Sequence, residues 1–167
     1  SDTGKKIFFI TTLKKNLPVE ELKRRLDEME LLHLFEERVI ELKSNVDTVV
    51  ANYNSSMYND IPLEIRNSEE FKNFKADVEF LKKHTGQNSD LVRSVRNNFS
   101  NNNERIFRSY LQNFFARNFP SIKERLLAIK TDSAWQWVGK LYPSVFTSEK
   151  QVIFMSMDKF ICPHSTI

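Results

Sequence analysis

Hydroxyl, ammonium and amide side chains follow the two most strand-like segments of this sequence. These segments are IFFI at residues 7–10 and VIFM at residues 152–155. The side chains are those of Thr11, Thr12, Lys14, Lys15 and Asn16 after the first segment, and Ser156 and Lys159 after the second. Such donors contact the phosphodiester backbone and fix its position without reading its sequence. We take these residues as the candidate nucleic-acid-binding set.

The same residues also allow an ordinary structural interpretation. Lys14 and Lys15 can simply solvate a loop, and Thr11 and Thr12 can simply finish a strand. The functional interpretation requires the two segments to pair in one parallel sheet, because functional groups in open α/β sheets lie beyond the carboxyl ends of the strands. Pairing of the two terminal segments is therefore the geometry to test.

The elements that would position these groups are short strands at both ends of the chain. Residues 6–12 are apolar almost throughout, which predicts a strand covered on both faces. The segment RVIELKS at 38–44 alternates and predicts a second strand, although a helix over 31–42 competes with it. Residues 152–155 predict a buried strand. We therefore expect an α/β fold, predominantly helical, with a small parallel sheet from the terminal segments and a large inserted helical bundle.

The middle of the chain carries apolar residues at helical spacing. One stripe consists of Phe71, Phe74, Val78 and Leu81, and two more consist of Ile106, Tyr110 and Phe114 and of Phe107, Leu111 and Phe115. All three are predicted to be buried. Trp135 and Trp137 are two residues apart and should point apart, one into the core and one outward. The expected domains are an α/β platform at 1–54 and 148–167 and a helical insertion at 55–147.

Composition sets limits on the partners and the compartment. The 25 Lys and Arg against 22 Asp and Glu give a net charge of +3, which permits a nucleic-acid partner without implying one. The single cysteine, Cys162, fits a reducing compartment and predicts a cytoplasmic protein. The longest apolar runs fall far short of the roughly 20 residues of a membrane span, so no membrane partner is expected.

Catalytic and cofactor patterns are weak in this sequence. SDTGKK at 1–6 lacks the preceding strand, the earlier glycine and the hydroxyl residue after lysine that a phosphate loop needs. The three histidines have no metal-ligand spacing. A third hypothesis, a small hydrolase using Cys162 and His164, is disfavoured because such close neighbours rarely face each other. We assign no catalytic residue, metal or cofactor to this chain.

Several arginines on consecutive predicted helices alternate with asparagines. They are Arg93, Arg96, Arg105, Arg108 and Arg117. Together they could line a basic groove for nucleic acid. Arginines on helix faces are also ordinary surface residues, so this pattern leaves both interpretations open.

Two segments carry a resemblance to a known family. KKIFFITTLKKNLPVEELKRRL at 5–26 resembles the second strand, motif Ia region and following helix of the first RecA-like domain of superfamily 2 DEAD/DEAH-like helicases. KQVIFMSMDKF at 150–160 resembles the later strand and Thr-x-x-Lys-like segment before the acidic ATPase motif. The resemblance implies that Thr11, Thr12, Lys14, Asn16, Ser156 and Lys159 contact a DNA or RNA backbone, single-stranded in the helicase mode.

The resemblance further implies a fragment of a helicase-like, nucleic-acid-dependent ATPase. ATP and Mg would belong to the parent protein, because this chain lacks the glycine-rich loop and the acidic motif, and the fragment itself is not expected to hydrolyse ATP. The alternative is a helical protein-interaction module without nucleic-acid binding, with a protein partner on the helical part. Parallel pairing between residues 6–12 and 151–156 separates the two hypotheses.

Overall fold

The computed structural model describes residues 4–13, 17–161 and 167, and the chain divides into two compact units. Unit 1 consists of Ser1–Ser44 and Ser144–Ser165, and unit 2 consists of Asn45–Pro143 and Thr166–Ile167. The boundaries expected from the sequence lie after residues 54 and 147. By their contacts, residues 45–54 group with unit 2 and residues 144–147 with unit 1.

Short strands and helices follow one another along the chain. They are β1 (Ile7–Thr11), α1 (Val19–Glu28), α2 (Leu32–Arg38), β2 (Val39–Leu42), α3 (Asn45–Asn52), α4 (Leu63–Asn67), α5 (Glu69–Lys83), α6 (Asp90–Asn98), α7 (Glu104–Asn118), α8 (Ile122–Thr131), α9 (Gln136–Leu141), β3 (Val152–Ser156) and α10 (Met157–Ile161). A π-helical segment, Phe99–Asn103, joins α6 to α7, and 3-10 segments lie at Ser55–Asn59 and Pro143–Glu149.

Unit 1 is built on a three-stranded parallel sheet in the order β1-β3-β2. The two terminal segments are direct neighbours, with Phe9 opposite Phe154 and their rings stacked at 4.9 Å. This pairing confirms the predicted fold class, a predominantly helical α/β protein with a small parallel sheet from the terminal segments. The segment 31–42 contains both predicted elements, because α2 ends at Arg38 and β2 begins at Val39.

The central strand β3 is buried, whereas the edge strand β1 is not. Phe154 packs against Val19 and Val39 on one face of the sheet. On β1, the side chains of Ile7 and Phe8 keep 53% and 51% of their surface exposed. The prediction that this strand is covered on both faces is therefore wrong. As an edge strand, β1 has one neighbouring strand only; Ile10 and Thr11 are partly buried, and Ile7, Phe8 and Phe9 are exposed.

The core of unit 2 forms where α5 meets α7. The stripe Phe71, Phe74, Val78 and Leu81 is buried as predicted, and so is the stripe Phe107, Leu111 and Phe115. The rings of Phe74 and Phe107 lie 4.5 Å apart. The third stripe is only partly buried, because Ile106 is half exposed and Tyr110 is intermediate. One helix face cannot bury two adjacent stripes completely, so the outer one borders solvent.

The two tryptophans do not divide into one buried and one exposed ring. Trp137 is buried as the predicted core anchor. Trp135 packs among aromatic rings instead of pointing outward, with Phe114 at 5.1 Å, Phe115 at 5.2 Å and Phe119 at 6.3 Å between ring centroids. The prediction of an outward-pointing ring is wrong, since the aromatic side chains at the end of α7 cover Trp135 in part.

The segment from α6 to α7 forms one path of helical backbone, although the sequence predicted two helices. Asn98, Asn103 and Glu104 keep right-handed helical angles through the π segment. Phe99 is fully buried in this segment, with its ring 5.4 Å from that of Phe74. The Asn103 amide donates to Asp77 on α5 at 2.8 Å. The Asn103 side chain thus ties the π segment to α5.

The buried side chain of Tyr142 is expected to make the stability of unit 2 depend on pH. Its hydroxyl is buried and, among the described residues, no group meets hydrogen-bond geometry with it. Burial and the nearby Glu104 carboxylate raise the pKa of Tyr142 well above its ordinary value of 10.0. The tyrosine therefore ionises first in the unfolded chain, so the free energy of unfolding should fall as the pH rises above about 10.

Replacing Tyr142 by phenylalanine is expected to preserve stability at neutral pH or raise it by up to about 1 kcal/mol, because a buried hydroxyl without a partner is removed. The variant should also unfold at a higher alkaline pH than the parent chain. Thermal melts followed by circular dichroism, from about pH 7 to about pH 11, measure both effects. An earlier alkaline transition in the variant would contradict this account.

Candidate nucleic-acid interface

The predicted residues at the ends of β1 and β3 meet at one edge of the sheet. Thr11 and Ser156 are register partners, each at the carboxyl end of its strand. This pairing follows from the parallel alignment of the two apolar segments, which brings the residues after them to the same edge. The structure thus brings together the two halves of the predicted site that it describes.

Both of the paired hydroxyls already make hydrogen bonds within the protein. The Thr11 hydroxyl donates to the carbonyl oxygen of Leu13 at 2.6 Å, so its proton is already used within the loop. The Ser156 side chain is buried, and its Oγ accepts from the Lys159 amide at 3.4 Å. Both residues therefore shape the edge and fix the turns that follow the strands.

The exposed part of this edge consists of Thr12 and the side of α10. Thr12 lies directly after β1 and is exposed, and Lys159 is partly buried on α10. Lys14, Lys15 and Asn16 were predicted for the same site and lie outside the described residues. Among the described part of the set, Thr12 and Lys159 are the groups best placed to reach a ligand.

One further cation was missed by the sequence analysis. Lys43 follows β2 directly, and β2 pairs in parallel with β3 up to Leu42 opposite Met155. The carboxyl end of β2 therefore also carries an exposed ammonium group, whose Nζ lies 3.7 Å from the Oε2 of Glu41. The signal was available in the sequence, because a lysine follows the alternating strand VIEL as it follows the other two strands.

The structure describes some of the residues that the sequence analysis considered for phosphate or metal binding. The Lys6 ammonium group donates to the carbonyls of Thr147 and Ser148 at 3.0 and 2.9 Å, which is a structural use of that side chain. No cluster of three or more His, Cys, Asp or Glu with metal-binding geometry occurs among the described residues. Cys162 and His164, the proposed hydrolase pair, lie outside the described part of the chain.

The five predicted arginines separate into two classes. Arg93 pairs with Asp90, Arg96 with Asp47, and Arg108 with Glu104. No ion pair to Arg105 or Arg117 forms within the described residues. These two line an open groove of about 360 Å³ between α5 and α7. The groove is lined by Glu70, Arg105, Ile106, Ser109, Tyr110, Asn113 and Arg117.

No model of a known protein family matches the chain, and no curated protein matches it with significant similarity. Within residues 4–13, 17–161 and 167, no helix is both long and apolar enough to cross a membrane.

Proposed function

We propose that this chain forms the backbone-binding edge of a helicase-like, nucleic-acid-dependent ATPase in the cytoplasm. In this proposal the chain contacts a single strand of DNA or RNA and leaves ATP binding, Mg binding and hydrolysis to other parts of the parent protein. The observation that carries the proposal is the register pairing of Thr11 with Ser156 at the carboxyl edge of a parallel sheet.

The pairing supports this function over the alternative, a helical interaction module. That alternative does not require residues 6–12 and 151–156 to be neighbours, whereas the helicase resemblance does. The observed sheet pairs them over five residues of each strand. The groups that follow are a hydroxyl on Thr12 and ammonium groups on Lys43 and Lys159, which suit phosphate oxygens.

The chemistry of this edge is positioning. The Thr11 hydroxyl closes the turn after β1 and holds the exposed Thr12 beside it. The Ser156 side chain fixes the start of α10, which carries Lys159. A phosphate approaching this edge would gain charge-assisted hydrogen bonds without any base being read. Binding should therefore be insensitive to sequence and sensitive to salt.

The test is fluorescence anisotropy with a labelled single-stranded oligonucleotide, as DNA and as RNA. The double variant Lys14→Ala with Lys159→Ala is expected to bind about tenfold more weakly, because two phosphate contacts are lost. The slope of log affinity against log salt should decrease by about 1.4, or about 0.7 for each contact. Thr12→Val, which removes only a hydroxyl, should cause a smaller loss.

The matched control is Lys83→Ala with Lys123→Ala, since both lysines are exposed on helices of unit 2 and the charge change is the same. The control should bind like the parent chain. Equal binding by the edge variant and the parent chain would remove the proposed site.

A further inference from the structure

The arginines of the α6–α7 segment differ in a way that their sequence pattern does not show. Three of them are held by carboxylates of the same unit. The remaining two, Arg105 and Arg117, are both exposed and both line the groove between α5 and α7. Arg117 makes one bond within its own helix, from Nε to the Asn113 carbonyl at 3.3 Å, which leaves its terminal nitrogens for a ligand.

The spacing along α7 places these groups in one row. Arg105, Ser109, Asn113 and Arg117 recur every four residues, so they form a row that winds gradually around the helix, and all four line the same groove. The two guanidinium groups are attached about 18 Å apart along the helix axis. Ile106 and Tyr110 lie beside this row in the same groove.

We propose that this groove on unit 2 binds the backbone of a stacked single strand of nucleic acid, as a second site in addition to the sheet edge. Arg105 and Arg117 bind two phosphates, since a guanidinium fork matches phosphate oxygens in a bidentate manner. The side chains of Ser109 and Asn113 bind the backbone between them. The distance between the arginines corresponds to about five stacked nucleotides at about 3.4 Å each.

Tyr110 and Ile106 favour nucleic acid over an acidic peptide. A peptide with two acidic residues could also reach Arg105 and Arg117. Every base, however, offers a π-face for an aromatic ring, and such stacking tolerates any sequence. Tyr110 lines the groove midway between the arginines, where a base attached to the bound backbone would lie.

Glu70 allows a test in which the proposal predicts tighter binding of the oligonucleotide instead of weaker binding. It is the one acidic residue among those that line the groove, and it lies on α5 opposite the arginine row. A bound phosphate backbone is repelled by this carboxylate, so Glu70→Gln should tighten binding a few-fold. Misfolding weakens binding and does not strengthen it, so a gain excludes misfolding as its cause.

The experiment measures anisotropy of a labelled single-stranded 12-mer between roughly 50 mM and 200 mM salt. Arg105→Ala with Arg117→Ala should weaken binding about tenfold and reduce the salt slope by about 1.4. The control Lys83→Ala with Lys123→Ala has the same charge change and lies off the groove, so it should bind like the parent chain.

Four outcomes overturn the proposal. The first three are unchanged binding in the arginine variant, an equal loss in the lysine control, and weaker binding in Glu70→Gln. The fourth is capture of an acidic peptide with no binding of the oligonucleotide by the parent chain. The sheet-edge proposal is tested separately by Lys14→Ala with Lys159→Ala, because those changes lie in unit 1. A loss in only one of the two double variants therefore identifies which site binds.

Discussion

Replacing Glu104 by alanine is expected to destabilise unit 2 by about 3–5 kcal/mol, because it removes the carboxylate from a buried ion pair. The Glu104 residue is 2% exposed. Its Oε1 accepts from the Nε of Arg108 at 2.9 Å, and the guanidinium side chain is largely buried as well. Glu104 is also the first residue of α7, directly after the π segment. Urea unfolding followed by circular dichroism measures the loss.

Two comparisons separate this buried pair from ordinary surface charge. Glu69→Ala removes the partner of Lys72 in an exposed pair on α5 and should cost less than about 1 kcal/mol. The double variant Glu104→Met with Arg108→Leu replaces both charges by apolar groups of similar size and should be much less destabilised than Glu104→Ala. A loss in Glu104→Ala no larger than that in Glu69→Ala would show that the pair is effectively solvated.

Apolar periodicity predicted the parts of this fold in which one face of an element is buried. The stripe from Phe71 to Leu81 repeats at helical spacing and is buried on α5. The run Val152–Met155 is short and continuous, as expected for a strand between two others, and β3 is central. In both cases the spacing of the apolar side chains indicates the type of element and also which of its faces is buried.

The local sequence pattern did not predict burial correctly where burial depends on residues that are distant in the sequence. Strands β1 and β3 have similar apolar sequences, yet one lies at the edge and the other at the centre of the sheet. Glu104 and Arg108 have the four-residue spacing of a surface ion pair, but the elements packed around α7 bury them. Which strand is an edge and which pair is covered depends on tertiary packing, and no sequence window contains that information.

The candidate site also has features that the sequence predicted and features that it did not. The sequence placed hydroxyls and lysines after each terminal strand, and parallel pairing brings Thr11 and Ser156 together. It could not show that the Thr11 proton is used by Leu13. It also could not separate Arg96 from Arg105, because the partner of Arg96 is Asp47, on a helix 49 residues earlier.

Phe154→Ala is expected to destabilise unit 1 by about 3–5 kcal/mol, the cost of removing a fully buried aromatic ring. Phe154 is 0% exposed at the middle of β3, and it packs against Val19 and Val39. The matched control is Phe9→Ala on β1, its stacked neighbour, which is 41% exposed and should cost about 1–2 kcal/mol. A double-mutant cycle of the two should give a coupling of about 0.5–1.5 kcal/mol.

The functional consequence of Phe154→Ala follows from its place between the two halves of the site. Destabilising β3 disrupts the sheet edge at which Thr11 and Ser156 pair. Oligonucleotide binding by Lys159 and its neighbours should therefore weaken. Hydrogen exchange should show faster exchange in β1, β2 and β3 and unchanged protection in α5 and α7, whose core does not include this ring. Equal loss of protection in both units would mean that they unfold together, and the sheet edge could then not be tested independently of the α7 groove.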